Sequence, residues 1–172
     1  MAELVLYDDN RHRAPFFDLY LEYAMWFRDE VIERYGKDPL AGTPPIREWL
    51  ETILPPFLTE LRPPKGVMYI LEADGKTVGM GALKRLEEGV AEVKSMYIQP
   101  EYRGCGYGKQ MLDKLIELAR MLGYETIRLD TVEFMVAARR IYESAGFSAR
   151  GPYPGTTVQV DDDVHIFMEK KL

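Results

Sequence analysis

The sequence has little cysteine and little histidine, and these shortages limit the chemistry that it can support. Its 172 residues include one cysteine and two histidines. A single thiol cannot form an internal disulfide, and it leaves no cysteine cluster for a structural metal. His12 and His165 lack the spacing of metal ligands and need no special role. We therefore expect no metal, and the low cysteine content agrees with a reducing cytoplasm.

Long apolar runs and an export signal are also missing from the sequence. No apolar run approaches the roughly 20 residues that a membrane-spanning helix needs. The first nine residues contain no basic region followed by an apolar core, as a secretory signal would. We expect a soluble cytoplasmic protein that does not bind membranes.

Basic residues are fewer than acidic ones. The sequence has 22 Lys and Arg against 28 Asp and Glu, a net charge of −6, and a pI near 5.1. This field repels nucleic acid and anionic membranes, and it weakly attracts cationic partners. With 47% apolar and 12% aromatic residues, the chain can form one core, so we predict a single domain over residues 1–172.

Periodicity and turn residues predict alternating strands and helices. Pro55 and Pro56 are expected to interrupt the second helix, with one further turn reaching residue 61, and Asp74-Gly75 predicts a hairpin. The order is a mixed α/β layout. The predicted strands are 3–7, 67–73, 76–86, 90–98, 126–131, 147–150 and 164–170, and the predicted helices are 15–35, 45–54, 108–122 and 133–145.

Three alternating glycines stand out in the middle of the chain. Gly104, Gly106 and Gly108 follow a predicted strand and a proline turn, and a helix comes directly after them. Such glycines let successive backbone N–H groups turn toward one point, and the helix adds the positive end of its dipole. The pattern predicts a binding site for an anionic cofactor.

Two common nucleotide sites do not match this loop. In a P-loop the first glycine would fall at Arg103, and a Ser or Thr would follow Lys109 where Gln110 stands. The dinucleotide fingerprint G-x-G-x-x-G has its third glycine one residue later than here, and only Asp130 could serve as its acidic residue. Nucleotide binding is therefore a weak alternative.

Two motifs, in the right order, resemble those of the GNAT superfamily, the GCN5-related N-acetyltransferases. The segment from Arg103 to Gly108 is similar to Gln/Arg-x-x-Gly-x-Gly/Ala. The segment from Ala138 to Phe147 is similar to A-x-x-x-Y-x-x-x-G-F, with Tyr142 as its tyrosine. The resemblance covers roughly residues 67–170.

The resemblance implies a mixed, mostly antiparallel sheet of about seven strands flanked by helices. It also implies direct acetyl transfer from acetyl-CoA to a primary amine of a small molecule or protein, by a monomer or homodimer. The loop would bind the pyrophosphate, and the main chain of the preceding strand would bind the thioester. The expected cofactor contacts are Met96, Tyr97, Ile98, Arg103, Gly104, Cys105, Gly106, Tyr107, Gly108, Lys109, Thr131 and Ala138.

Two residues are candidates for proton transfer. Glu92 lies eleven residues before Arg103, the register in which some family members place a catalytic glutamate, and it would act as base directly or through water. A period of two would put Glu92, Lys94 and Met96 on one face, so Glu92 could instead pair with Lys94 at a solvated surface. Tyr142 would protonate the departing thiolate, and its alternative role is a core aromatic.

Several positions leave the interpretation open. Met135 stands where the family often has a cofactor-binding asparagine. Asp130 could cap the helix that follows it. The acceptor would bind between the first two helices and the loop 155–163. Within this loop, Asp161 to Asp163 are interpreted as the solvent-exposed tip of a hairpin. A non-catalytic acyl-CoA-binding module, which would lack a competent acid and base, is the main alternative function.

Overall fold

The computed structural model describes residues 2–154 and 164–172. A seven-stranded sheet runs through it in the order β1-β2-β3-β4-β5-β7-β6. Its neighbours are antiparallel except β4 and β5, which pair in parallel. The strands are β1 Ala2–Leu6, β2 Gly66–Ala73, β3 Lys76–Glu87, β4 Val90–Ile98, β5 Thr126–Val132, β6 Ser148–Arg150 and β7 His165–Lys171. The predicted mixed, mostly antiparallel sheet is confirmed.

Four helices cover the two faces of this sheet. They are α1 Asp9–Tyr35, α2 Ile46–Glu60, α3 Tyr107–Met121 and α4 Val136–Ser144. Buried side chains of α1 and α2 share one core cluster with the sheet, and those of α3 and α4 share the other. None of the helices in the described ranges is long and apolar enough to cross a membrane.

Successive side chains of β2 alternate between the two faces of the sheet and contribute to both core clusters. Val67, Tyr69 and Leu71 pack on the α3 side, and Met68 and Ile70 pack on the α1 side. Because successive side chains of a strand point to opposite faces, a strand buried on both sides is apolar throughout. Burial of each such side chain contributes about 1.5–3 kcal/mol, which fixes the register of the sheet.

The predicted hairpin between β2 and β3 is present. Asp74 and Gly75 form its turn with φ angles of 51° and 75°. Two consecutive residues with positive φ are what a type I′ turn requires. A second turn, at Glu88 and Gly89, separates β3 from β4.

The first helix begins at Asp9, well before the predicted start near Pro15. Asp8 caps it, because its carboxylate accepts hydrogen bonds from the backbone N–H groups of Asn10 and Arg11. His12, on the first turn, is buried; its Nδ1 accepts the N–H of Asp8 at 2.8 Å. The Asp8 cap and the hydrogen bond between Asp8 and His12 stabilise a helix that begins before Pro15, and Pro15 lies inside the helix.

The predicted break in the second helix was wrong. Helix α2 continues through Pro55 and Pro56. Proline has no backbone N–H, so Pro55 and Pro56 cannot donate the helical hydrogen bonds to the carbonyls of Glu51 and Thr52. Glu51 and Thr52 are both exposed, so water can hydrogen-bond to these carbonyls instead. Leu54 is buried in the core cluster that α2 shares with the sheet, and this packing stabilises the helix next to the prolines.

The cap at Asp8 gives a test of how α1 is fixed. Asp8→Ala removes the side-chain acceptor and is expected to lower the free energy of unfolding by about 1 kcal/mol. For a chain of this size the melting temperature should fall by about 2–4 °C. Asp8→Asn keeps an acceptor oxygen and should stay near wild type in the same urea and thermal titrations. Equal losses in the two variants would contradict the capping role.

Candidate active site

Strands β4 and β5 separate shortly after they begin to pair. Their parallel register joins Val90 to Thr126 and Glu92 to Arg128 at its two ends, and no pairing is present among the described residues beyond that point. Both strands nevertheless continue, to Ile98 and to Val132. The sheet therefore has a wedge-shaped gap at the carboxyl ends of its two parallel strands.

A β-bulge in β4 lies beside this gap. Met80 pairs with Tyr97 and Ala82 pairs with Lys94, so Ser95 and Met96 together oppose one residue of β3. Ser95 has a φ of 53°, a left-handed conformation that is common in bulges. The bulge reverses the alternation of side chains in β4 from this point onward.

The predicted common face of Glu92, Lys94 and Met96 was wrong because of the bulge. Glu92 and Lys94 do share a face, and their side chains form an ion pair. Met96 instead packs with Val93 in the core under α3. Tyr97 points to the opposite side, into the core under α1.

The glycine loop leads from β4 into α3. Gly104 and Gly106 have φ angles of 80° and 83°, and Gly106 caps the helix, which starts at Tyr107. A Cβ on either glycine would meet no heavy atom of the described residues within 4 Å. The loop is thus an open cradle at a helix N-terminus, and its form fits a pyrophosphate. Gly108 also permits close packing, since a Cβ there would lie 3.2 Å from Ile141 of α4; its predicted cofactor contact stays a prediction.

The cations of the loop have partners within the protein. Arg103 donates from Nε to the carbonyl of Ile98 at 2.8 Å, and its guanidinium lies over the rings of Trp26 and Tyr97. Lys109 is exposed and pairs with Asp113. The phosphate contacts expected for Arg103 and Lys109 stay predictions. The cofactor contact expected for Cys105, whose side chain is exposed, also stays a prediction.

Glu92 is buried, with a relative exposure of 1%, so the alternative of a solvated surface pair was wrong. Its Oε1 accepts a hydrogen bond from the Tyr153 hydroxyl at 2.8 Å and lies 3.1 Å from Nζ of Lys94. Its Oε2 is also buried and has no hydrogen-bond partner within the described residues. Oε1 is therefore held in place by the protein, while Oε2 has no partner among the described residues.

Lys94 also reaches across the gap to β5. Its Nζ donates to Oδ1 of Asp130 at 2.9 Å. Asp130 therefore does not cap α4, which begins after Met135 without a side-chain cap. The buried cluster Glu92-Lys94-Asp130 connects the two strands on the α1 side of the sheet.

The burial of this cluster changes the proton affinities of its members. Burial raises the pKa of Glu92, against the opposing effects of Lys94 and of the Tyr153 hydrogen bond. Burial alone would lower the pKa of Lys94, but the carboxylates of Asp130 and Glu92 outweigh it and raise that pKa. Lys94 is therefore a cation at neutral pH, and Glu92 is a stronger base than an exposed glutamate.

Tyr142 lies on α4, in the core on the opposite side of the sheet. It is buried, and its ring centroid is 6.1 Å from that of Phe147. Burial and then the negative charge of Asp130 raise its pKa. Its phenol keeps its proton at physiological pH. Ala138 is partly buried near the same core, and the Thr131 hydroxyl lies 3.5 Å from the sulfur of Met135.

Aromatic side chains of α1 line the other side of the gap. Ser95 donates to the hydroxyl of Tyr20 at 3.4 Å, and Tyr97 donates to Glu22 at 2.7 Å. Trp26 contacts the rings of both Tyr97 and Phe134, with centroids 6.0 and 6.2 Å apart. Trp26 therefore bridges the end of β4 and the segment that follows β5.

Sequence reasoning missed three parts of this site. Tyr153, Glu22 and the pairing of Lys94 with Asp130 come from segments far apart in the chain, and no local motif signals them. The predicted acceptor loop 155–163 lies outside the described residues. Within the described residues, no group of three or more His, Cys, Asp or Glu side chains could hold a metal ion.

Comparison with known proteins identifies the family to which this arrangement belongs. The model of the acetyltransferase (GNAT) family matches residues 18–147. The chain belongs to the GNAT acetyltransferase family. It is therefore an acyltransferase, and acetyl transfer from acetyl-CoA is the general reaction of the family.

One relative and two solved structures illustrate the similarity. A Schizosaccharomyces pombe protein named as an N-acetyltransferase is 33% identical over 53% of this chain and 57% of its own length. A GNAT-family acetyltransferase of Staphylococcus aureus has a TM-score of 0.70 at 20% identity, over 99% of both chains. The PaiA N-acetyltransferase of Thermoplasma acidophilum, solved with coenzyme A, has a TM-score of 0.71 at 18% identity, over 100% and 99% of the chains.

The two ends of α3 provide a test of the glycine cradle. Gly106→Ala introduces a methyl group at a φ of 83°, which costs about 1–2 kcal/mol, and it also fills the open cradle. Gly123→Ala introduces the same strain at a φ of 80°, in equally open space, beyond the other end of the helix. Both variants should lose similar stability. Only Gly106→Ala should weaken acetyl-CoA binding, by about tenfold or more, or ~1.4 kcal/mol.

Calorimetric titration with acetyl-CoA measures this difference, and thermal melts report the shared loss of stability. Equal affinities in the two alanine variants would show that the cradle does not approach the cofactor.

Proposed function

We propose that this protein transfers the acetyl group of acetyl-CoA directly to a primary amine, with Glu92 as the base and Tyr142 as the acid. The observation that carries the proposal is the buried, unpartnered Oε2 of Glu92 beside the gap between β4 and β5. An unsatisfied buried carboxylate oxygen costs free energy. Its retention is expected where a substrate N–H completes the hydrogen bond.

The base has to make the amine nucleophilic. An aliphatic ammonium has a pKa of about 10, so it carries an extra proton at neutral pH. Burial raises the pKa of Glu92 and so brings it closer to that of the amine, which favours proton transfer directly or through one water. Tyr153 and Lys94 both hold Oε1, so Oε2 is the atom that would take the proton.

The acid has to protonate the leaving group. Acetyl-CoA supplies a thioester whose sulfur leaves as a thiolate, with the conjugate thiol near a pKa of about 8.5. A phenol that remains protonated at all physiological pH values can donate to it. The raised pKa of Tyr142 keeps the phenol protonated but also makes it a weaker acid, so its hydrogen bond to the sulfur would have to form before the thiolate departs. Its place on the α4 side is opposite the base.

Charge on the thioester oxygen requires hydrogen-bond donors that are already oriented. The separation of β5 from β4 leaves main-chain groups of Met96, Tyr97 and Ile98 at the edge of the gap. Backbone N–H groups fixed in this way can stabilise an oxyanion without a dedicated side chain. The proposed oxyanion site is therefore the part of β4 that follows the bulge.

The amine acceptor and the donor can be tested separately. The melting temperature of the protein should rise with acetyl-CoA and not with ATP or NAD, since a ligand stabilises the fold that binds it. Thiol release should then depend on an added amine, across a panel of monoamines, diamines, amino acids and lysine peptides. Stabilisation by acetyl-CoA without amine-dependent thiol release would indicate the non-catalytic binding module.

Removal of the Tyr142 hydroxyl tests the acid. Tyr142→Phe should lower kcat by about 10²-fold or more, since general acids contribute about 10²–10⁴, and should leave acetyl-CoA affinity nearly unchanged. Tyr69→Phe removes the hydroxyl of another buried tyrosine of the same core and should keep wild-type turnover. Steady-state kinetics with the best amine of the panel decide. An unchanged kcat in Tyr142→Phe would remove this residue from the mechanism.

A further inference from the structure

Lys94 occupies an unusual position for a lysine. Its side chain is 12% exposed, and it bonds Asp130, which is 7% exposed, and Glu92, which is 1% exposed. Lysine is rarely buried unless it is paired. Here it pairs across the point at which the backbone of β4 no longer pairs with that of β5.

We propose that Lys94 is a positioning residue: it holds Oε1 of Glu92 and anchors it to Asp130 of β5, so that Oε2 remains free for the acceptor. This inference rests on the proposed function, in which Glu92 is the base. Lys94 itself does not transfer a proton in this proposal, because its ammonium group is ion-paired with the carboxylates of Glu92 and Asp130.

Among the described residues, the tyrosines around the cluster carry no charge that could replace that of Lys94. Tyr153 donates to Glu92 from the segment after β6. Burial raises the pKa of Tyr153, of Tyr20 and Tyr23 from α1, and of Tyr142 from α4. These four phenols are neutral at physiological pH.

Among the described residues, a further cation lies next to the ring of Tyr153. Arg128 of β5 has its guanidinium carbon 5.6 Å from the centroid of the Tyr153 ring. It forms ion pairs with Glu87 and Glu169. Its charge is therefore engaged by those two glutamates, and among the described residues Lys94 is the cation that pairs directly with the two carboxylates of the cluster.

The charges of Lys94 and Asp130 act on Glu92 in opposite directions. Lys94 lowers the pKa of Glu92, and Asp130 raises it. Lys94→Met keeps the length of the side chain and removes the positive charge, so the pKa of Glu92 should rise. Asp130→Asn keeps the shape and removes the negative charge, so that pKa should fall.

The pH dependence of kcat/KM measures this effect, because its acidic limb reports the base of the free enzyme. Lys94→Met should move the acidic limb to higher pH by about one unit or more, the range for loss of a neighbouring opposite charge. Asp130→Asn should move it to lower pH. The KM for acetyl-CoA should change little in either variant.

Lys114→Met is the matched control, because Lys114 is an exposed lysine paired with Glu117 on α3. This variant should leave the acidic limb of the pH profile at its wild-type position.

A direct titration makes the result independent of turnover. The side-chain carboxyl ¹³C resonance of Glu92, assigned by its loss in Glu92→Gln, should titrate at higher pH in Lys94→Met and at lower pH in Asp130→Asn. Opposite shifts support the inference, since general destabilisation would act alike on both variants. Shifts in the same direction, or none, would overturn it.

The two proposals fail differently. If the wild-type protein releases no thiol with any amine, the proposed function is wrong, and the carbon titration still decides whether Lys94 controls Glu92. If wild type is active and Glu92→Gln abolishes the acidic limb while Lys94→Met leaves it unmoved, only the role of Lys94 is wrong. Should Lys94→Met fail to fold, as seen by circular dichroism, Lys94→Gln removes the same charge and should give the same upward shift in the titration of Glu92, and the absence of that shift would overturn the inference.

Discussion

The early end of pairing between β4 and β5 is the constraint on which the site depends. Backbone N–H and C=O groups are obligatory hydrogen-bonding groups, and a sheet that opens in its middle leaves some of them without strand partners. Near this gap one side chain donates to a main-chain carbonyl, and one ion pair links the two strands. Arg103 donates to the carbonyl of Ile98, and the ion pair of Lys94 and Asp130 connects the two strands where their backbones part. The remaining main-chain groups are those that the proposed reaction uses.

The charges beside the gap are costly, and this cost favours a functional explanation over a structural one. Ions removed from water lose several kcal/mol of solvation each, and a buried ion pair often contributes no more stability than apolar side chains of similar volume. The cluster contains two carboxylates and one ammonium, so it has an excess negative charge in addition. Stability alone does not account for such an arrangement. A cationic or proton-donating acceptor would satisfy both the excess charge and the free oxygen of Glu92.

The sequence was sufficient to predict features that depend on local rules. The Asp74-Gly75 hairpin follows from turn chemistry, and the glycine loop before α3 follows from the need for positive φ at Gly104 and Gly106. Features that depend on tertiary contacts were predicted less well. The start of α1 moved upstream to the cap at Asp8, and α2 continued through Pro55 because the freed carbonyls face solvent.

The bulge at Ser95 shows why the candidate site could be predicted only in part. A strict period of two places Glu92 and Lys94 correctly, because they precede the bulge, and misplaces Met96, which follows it. The bulge itself depends on the partner strand β3, so no pattern within β4 signals it. The same applies to the contact between Lys94 and Asp130, whose partners are separated by 36 residues.

The positions of the proposed acid and base also bear on the kind of reaction. Glu92 lies on the α1 side of the sheet, and Tyr142 packs in the core under α3 and α4. In an intact sheet, side chains on opposite faces could not act on one bond. Burial and, second, the negative charge of Asp130 on the α1 side raise the pKa of Tyr142, so Tyr142 lies within electrostatic range of the cluster that contains Glu92. A base on one side and an acid on the other would suit the proposed reaction, in which the amine adds to the thioester carbonyl and loses a proton to Glu92, and the resulting tetrahedral intermediate then expels the thiolate, which Tyr142 protonates.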